Sequence, residues 1–260
     1  MKKLISLTLL LVLLAVSVQA LAEDDLLARI KKRGTIIIAS EEEWAPWTYH
    51  DKNDQLVGMD IEIATLIAEG LGVKPDFRKA DWDSIFWGID SKRYDIACNG
   101  VGYTEERAQK YTFTQPYVYT HKVLIVRGDN EDIHTLTDIK GRTTANSANS
   151  TYAKLAEKMG ATVKIAPSLA ETIMLLVQGR IDATINAQIS IDTYLEQHPD
   201  ANIKVVEVMN GDPVAIPMRK DADTESLAAA IDQIITEALE NGKIAEITMK
   251  YTGRDLTKPD

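Results

Sequence analysis

The chain has 260 residues, with 29 Lys plus Arg against 39 Asp plus Glu for a net charge of −10, and 45% of its residues are apolar. That apolar share supports one large buried core or two ordinary ones and excludes a disordered chain, while the lack of a basic excess excludes a general nucleic-acid binder. The single cysteine, Cys98, can close no internal disulfide and offers no second thiolate to a zinc or iron–sulfur site.

Met1, Lys2 and Lys3 give a basic start, Leu4 to Val18 is almost wholly apolar, and Ala20-Leu21-Ala22 ends the stretch with small residues at its outer positions. This is the order of a secretory signal peptide, residues 1–22. A retained membrane anchor is the alternative, but Ser6, Thr8, Ser17 and Gln19 interrupt the run and an acidic segment follows it. Cleavage near Ala22 would remove Lys2 and Lys3, leaving 27 basic against 39 acidic residues and a net charge of −12. No Cys follows the apolar run to serve as a bacterial lipid-attachment site. The mature protein is therefore expected to be periplasmic and free in solution.

Beyond that segment, strand-like and helix-like stretches alternate as in an α/β fold. Thr35 to Ala39 is a β-branched run, and Gly58 to Leu71 carries Ile63, Ile67 and Leu71 on one helical face. A strand at Val73 to Phe77, a helix at Asp83 to Ser91, a buried strand at Asp95 to Cys98 and a helix opening at Thr104 follow. In a second series, Thr143 to Asn146, Val163 to Ala166, Ile181 to Ile185 and Ile203 to Val206 read as strands. Thr151 to Met159, Leu169 to Gln178 and Ile189 to Glu196 read as helices between them. A strand at Val214 to Met218 and an Ala-rich helix from Thr224 to Glu240 complete the chain.

The two series predict two lobes. Polar breaks at Arg127-Gly128-Asp129-Asn130 and Asn210-Gly211-Asp212-Pro213 predict the crossings between them. Lobe one then comprises residues 23–127 and 213–260, and lobe two residues 128–212. Two crossings imply a hinge, and a cleft between hinged domains is a common ligand site.

Catalytic and cofactor patterns are mostly missing. His50, His121, His134 and His198 stand far apart, with no metal-ligand spacing, and read as surface residues. Gly100-Val101-Gly102 resembles a phosphate loop, but Glu105 occupies the place of the third glycine of a dinucleotide fingerprint, so no cofactor is inferred. Neither a Gly-x-Ser-x-Gly elbow nor a Walker-type lysine is present. No catalytic residue and no metal site are assigned.

What the sequence does contain is the set of groups needed to bind a zwitterion. A carboxylate calls for a bidentate donor and free backbone N–H groups, and an ammonium calls for a carboxylate or carbonyl acceptors. Arg107 sits in the first turn of the helix begun by Thr104, an end at which a cation is disfavoured by the helix dipole. It is either a ligand clamp or the partner of Glu105, Glu106 or a neighbouring lobe. Trp44 and Trp47 flank Pro46 after the first strand, and Trp82 precedes a helix; both places suit a ligand in an α/β fold. Trp47 and Trp87 read as core, Trp44 and Trp82 as candidates for stacking on a ligand.

Several stretches in this order resemble the periplasmic solute-binding proteins of ABC importers for polar amino acids. They are Glu41 to Tyr49 (EEEWAPWTY), Leu56 to Asp60, Trp82-Asp83-Ser84, Asp95 to Arg107 (DIACNGVGYTEER) and Tyr111 to Tyr117 (YTFTQPY) in the first lobe. Gly141-Arg142-Thr143, Asn149 to Tyr152 (NSTY) and Gly179 to Ala183 (GRIDA) follow in the second. The resemblance implies a two-lobed type II binding-protein fold, each lobe a central sheet flanked by helices. It further implies that Trp44 and Trp82 sandwich the ligand side chain, that Arg107 clamps its α-carboxylate, and that Ser150 and Thr151 close over that carboxylate at a helix start. The turn of Asn99, Gly100 and Gly102 would face the α-ammonium, with Ser147 along the same edge.

One departure from the family stands out. Many members carry an Asp for the α-ammonium at the position that is Ala187 here, between Asn186 and Gln188. Glu41 could supply the negative charge from the first lobe instead. The Asn-rich turns and Asn186 look most like the cystine and polar amino-acid branch, so cystine is the first choice of ligand, with neutral polar and acidic amino acids as alternatives. The resemblance implies a monomer that binds an amino acid without turning it over and passes it to a membrane permease with its ATPase. The other readings are an exported lyase resembling cyclohexadienyl dehydratase, with Glu41 as its acid, and a ligand-sensing module.

Overall fold

The computed structural model describes residues 25–259, so the expected signal peptide lies outside the described residues. After α1 (Leu26–Arg33) and β1 (Thr35–Ser40), the short strands β2 (Glu43–Trp44), β3 (Thr48–His50) and β4 (Leu56–Val57) form an antiparallel meander. Then come α2 (Met59–Gly70), β5 (Lys74–Lys79), α3 (Trp82–Asp90), β6 (Ile96–Ala97), α4 (Glu105–Lys110) and β7 (Tyr111–Phe113). β1 lies between β5 and β6 in a parallel sheet. Its side chains alternate between two cores: Ile36 and Ile38 pack with α2, and Ile37 and Ala39 with α3. Covering both faces is what makes β1 apolar at every position from Ile36 to Ala39.

The second lobe is built on β8 (Val118–Arg127), β9 (Thr143–Asn146), α5 (Thr151–Lys158), β10 (Thr162–Ile165), α6 (Leu169–Val177), β11 (Ala183–Ala187), α7 (Gln188–Gln197) and β12 (Ile203–Val214). The strands form one sheet in the order β10-β9-β11-β8-β12. Val123 and Ile125 enter the core on one face, Leu124 and Val126 the core on the other. The chain then returns through β13 (Pro217–Arg219), which pairs with β7, and ends in α8 (Glu225–Glu240) and α9 (Lys243–Thr252), whose apolar faces complete the core around α2. Among the described residues no helix is long and apolar enough to cross a membrane.

The crossings lie elsewhere than the polar breaks indicate. Val118–Arg127 pairs with β11 and β12, so the first passage precedes Val118 instead of following Arg127. Arg127 to Asn130 is only the turn that ends β8, closed by the Asn130 N–H donating to the Arg127 carbonyl at 2.9 Å. Asn210 to Pro213 likewise lies within β12, where a register shift between Val208 and Gly211 accommodates it. The passages run side by side: Val118 pairs with Val214, and the Tyr117 N–H donates to the Val214 carbonyl at 3.0 Å. Gly102 also bridges to Val214, bringing the turn after β6 against the hinge.

Trp87 corrects the reading of it as a core residue. On α3 the buried positions are Ile85, Gly88 and Ile89, and Trp87 projects from the opposite side at 63% exposure. His121 is half-buried, whereas His50, His134 and His198 are exposed.

Candidate functional site

Between the lobes lies a cavity of about 320 Å³ whose walls include Glu41, Trp44, Trp82, Gly100, Gly102 and Arg107 from lobe one. Ser147, Ser150, Thr151 and Asn186 line it from lobe two. A second cavity of about 260 Å³ adjoins it at the rear, sharing Arg107, Lys122, Thr151 and Asp212 with the first.

Arg107 is 9% exposed and reaches the cavity from α4, where the Thr104 hydroxyl caps the helix by accepting from the Arg107 N–H at 3.1 Å. Its guanidinium carbon lies 5.2 Å from the ring centres of both Trp82 and Phe86. Nη1 donates to the Gly102 carbonyl at 2.9 Å, and Nη2 to the Asn149 carbonyl across the cleft at 3.3 Å. Burial pulls its pKa down to about 10, which leaves it a cation at neutral pH. The salt bridge to Glu105 or Glu106 is not formed: Glu106 pairs with Lys154 of α5 at 2.6 Å, and no described carboxylate pairs with Arg107. A buried guanidinium held by carbonyls and rings, without a counter-anion, is prepared to receive one.

The tryptophans divide their tasks. Trp44 is half-buried, stacks on the fully buried Trp47 with ring centres 5.5 Å apart, and lines the cavity. Trp82 lies edge-on to Phe86 at 6.0 Å and presents its ring to Arg107, so its first partner is the guanidinium. The two indoles also explain Gly100. Its φ is +56°, and a Cβ there would meet ring atoms of Trp44 and Trp47 at 2.8 and 2.9 Å, so only glycine fits.

Asn99 is corrected: it is fully buried and does not line the cavity. Its Oδ1 accepts from the Glu41 N–H at 2.8 Å, and its Nδ2 donates to Glu41 Oε2 at 2.6 Å, so it positions Glu41 from behind. Burial, reinforced by the nearby Asp81, Asp83 and Glu43 carboxylates, pushes Glu41 up to about 7 against the pull of the Asn99 bond. Asp60 supports the neighbouring turn. Its Oδ2 accepts from the Gly100 N–H at 2.5 Å and its Oδ1 from the Tyr117 hydroxyl at 2.9 Å, and full burial pushes it up to about 7.

In lobe two the Ser150 hydroxyl caps α5 by accepting from the Ala153 N–H at 3.1 Å, which leaves Thr151 and the first amides of the helix toward the cleft. Asn149 precedes the cap with φ +57° and turns its carbonyl to Arg107. Ser147 bonds the Pro167 carbonyl at 3.4 Å, and Asn186 accepts from the Ala187 N–H at 2.8 Å. Ala187 itself is fully buried in the lobe-one core cluster and does not line the cavity.

Several lining residues are not among those the sequence assigns to the site. Lys122 on β8 and Asp212 on β12 form an ion pair at the cavity floor. Asp212 was hidden because Asn210 to Pro213 reads as a loop, when it is strand whose alternate residues, Asp212 and Val214, face the cavity. Tyr152 also lines it; its hydroxyl is raised by burial, with Asp212 and Glu41 adding to the effect. The signal for Tyr152 was present in the Asn149 to Tyr152 stretch.

The chain is similar to known proteins in sequence and in fold. The L-cystine-binding protein TcyA of Bacillus subtilis is 35% identical over 237 residues, 91% of this chain and 88% of the relative. An ancestral arginine-binding protein bound to glutamine is 32% identical, with a TM-score of 0.80 over 85% of this chain and 99% of that one. The L-cystine solute receptor of Neisseria gonorrhoeae, in its unliganded open conformation, is also 32% identical, with a TM-score of 0.59 over 88% of this chain and 98% of that one. Residues 36–254, which include both crossings and every lining residue of the cleft, match one family throughout, and the chain belongs to the bacterial extracellular solute-binding proteins, family 3.

Proposed function

We propose that the protein captures a polar α-amino acid between its lobes and presents it to an ABC importer in the periplasm, after removal of residues 1–22. The observation that carries this reading is Arg107: a buried cation, flanked by aromatic rings and with no carboxylate partner among the described residues, at the wall of the cavity between the lobes. In the bound state Arg107 holds the ligand's α-carboxylate, and the α5 N-terminus at Thr151 closes on the same group. Trp44 packs on the side chain, with Gly100 and Glu41 beside it. Cystine is the first choice of cargo, supported by the cystine-binding relatives and by a cavity that continues past Arg107 to the rear.

The mechanism is ligand-driven closure. Ligand docks on lobe one, and differential contacts from Ser147, Ser150, Thr151 and Asn186 favour the closed arrangement. The higher TM-score against a liganded relative than against an open one supports this arrangement as the closed one. A thermal-shift screen against the twenty amino acids, cystine, ornithine and prephenate tests the reading, since stabilisation grows with ligand concentration over Kd. A shift with a polar amino acid, the ligand being recovered unchanged, is expected. Conversion of prephenate to product would replace it with the lyase reading, and a shift with no compound would overturn it.

A further inference from the structure

Resting on the amino-acid reading above, we propose that Asp212 receives the ligand's α-ammonium, and that Lys122 is the cation this ammonium displaces. A zwitterion withdrawn from water needs an anion close to the group that holds its carboxylate. Five acids line the main cavity: Glu41, Glu43, Asp81, Asp83 and Asp212. Glu43 is 68% exposed and paired with Lys79 at 2.5 Å, and Asp81 and Asp83 are exposed at the start of α3. Glu41 is bonded to Asn99 and holds its proton up to about 7.

Asp212 differs from all four in its position relative to Arg107. Both line both cavities, and a short chain of hydrogen bonds joins them. Arg107 Nη1 donates to the Gly102 carbonyl, Gly102 bridges to Val214, and Asp212 lies two residues before Val214 on the same face of β12. Carboxylate clamp and ammonium acceptor are thus linked through the strand that crosses between the lobes. Asp212 already pairs with a primary ammonium, that of Lys122, so it is matched to the charge and donor geometry of an α-ammonium. Lys122 stands opposite Ala187 in the sheet, and its flexible stem borders the rear cavity of about 260 Å³, where it has room to withdraw.

Calorimetry on the wild type, Asp212→Asn and Lys122→Met tests this with two pairs of probes: L-cystine with 3,3′-dithiodipropionate, and L-glutamine with glutaramate. The second member of each pair lacks the α-ammonium. Asp212→Asn is expected to weaken the amino acid by about tenfold or more while leaving its des-amino partner unchanged or tighter. Lys122→Met, which removes the competing cation, is expected to tighten the amino acid. Equal losses for both members of a pair, or no loss for the amino acid, would overturn the proposal while leaving the amino-acid reading standing. Failure of the wild type to bind either amino acid or any other in the thermal-shift screen would overturn both. Should Asp212→Asn not fold, weaker amino-acid binding by Lys122→Met would overturn the proposal by itself.

Discussion

Arg107 of the first lobe donates to the backbone carbonyl of Asn149 in the second, Nη2 to oxygen 3.3 Å, directly across the cleft. The contact comes from a side chain with no described carboxylate partner and reaches the residue that precedes the α5 cap. It brings the unpaired guanidinium of one lobe to the start of a helix in the other, two places where a carboxylate is favoured.

Arg107→Ala is expected to lose about 2 kcal/mol or more of ligand affinity, because it leaves a bound carboxylate without its charged partner. Calorimetry checks this. Unchanged affinity would remove Arg107 from the site.

Trp44→Ala is expected to weaken binding and to abolish a ligand-induced change in tryptophan fluorescence, since Trp44 is the indole stacked on Trp47 at the cavity wall. A variant that keeps both the affinity and the signal would return Trp44 to a packing role.

Glu41 gives the stability a pH dependence of definite sign. Its folded pKa is raised from 4.5 to about 7 by burial, so between those values the folded state holds a proton that the unfolded state has released. Stability therefore falls as pH rises through that window and levels off above it. Asp60, raised from 3.8 to about 7, acts in the same direction. Thermal unfolding of Glu41→Gln against the wild type is expected to show the variant gaining relative stability from pH 4.5 to 7. A difference independent of pH would contradict it.

Lys154 and Glu106 form an exposed bridge between α5 and α4, with Nζ 2.7 and 2.6 Å from the two carboxylate oxygens. Exposed pairs contribute up to about 1 kcal/mol, so Lys154→Ala is expected to speed ligand release by at most about fivefold and to leave the association rate nearly unchanged. Stopped-flow fluorescence at low and high salt checks this, the difference between variant and wild type shrinking at high salt.

Much of this was legible in the sequence because it was local. The long helix ending at Glu240 follows from its apolar periodicity. Thr104 and Ser150 were readable as helix starts because a hydroxyl caps the first free amides there. The lobe crossings were misplaced because Gly211 and Pro213 signal a turn, whereas pairing with His121 and Tyr119 of β8 keeps them in a strand. Long-range pairing leaves no local trace, which also hid Asp212. The family resemblance implies Asn99 as a ligand contact, but only the fold shows that its side chain is committed to Glu41. The short α1 and the terminal α9 are not predicted, being helices whose apolar faces are completed by α2 and α8 of the same core.

The most direct test of the central claim is a calorimetric titration of the wild-type protein, without residues 1–22, with L-cystine and the other polar amino acids. The account requires one saturable site per chain for at least one of them, with the ligand recovered intact. No heat with any of them, or recovery of a chemically altered ligand, would contradict it.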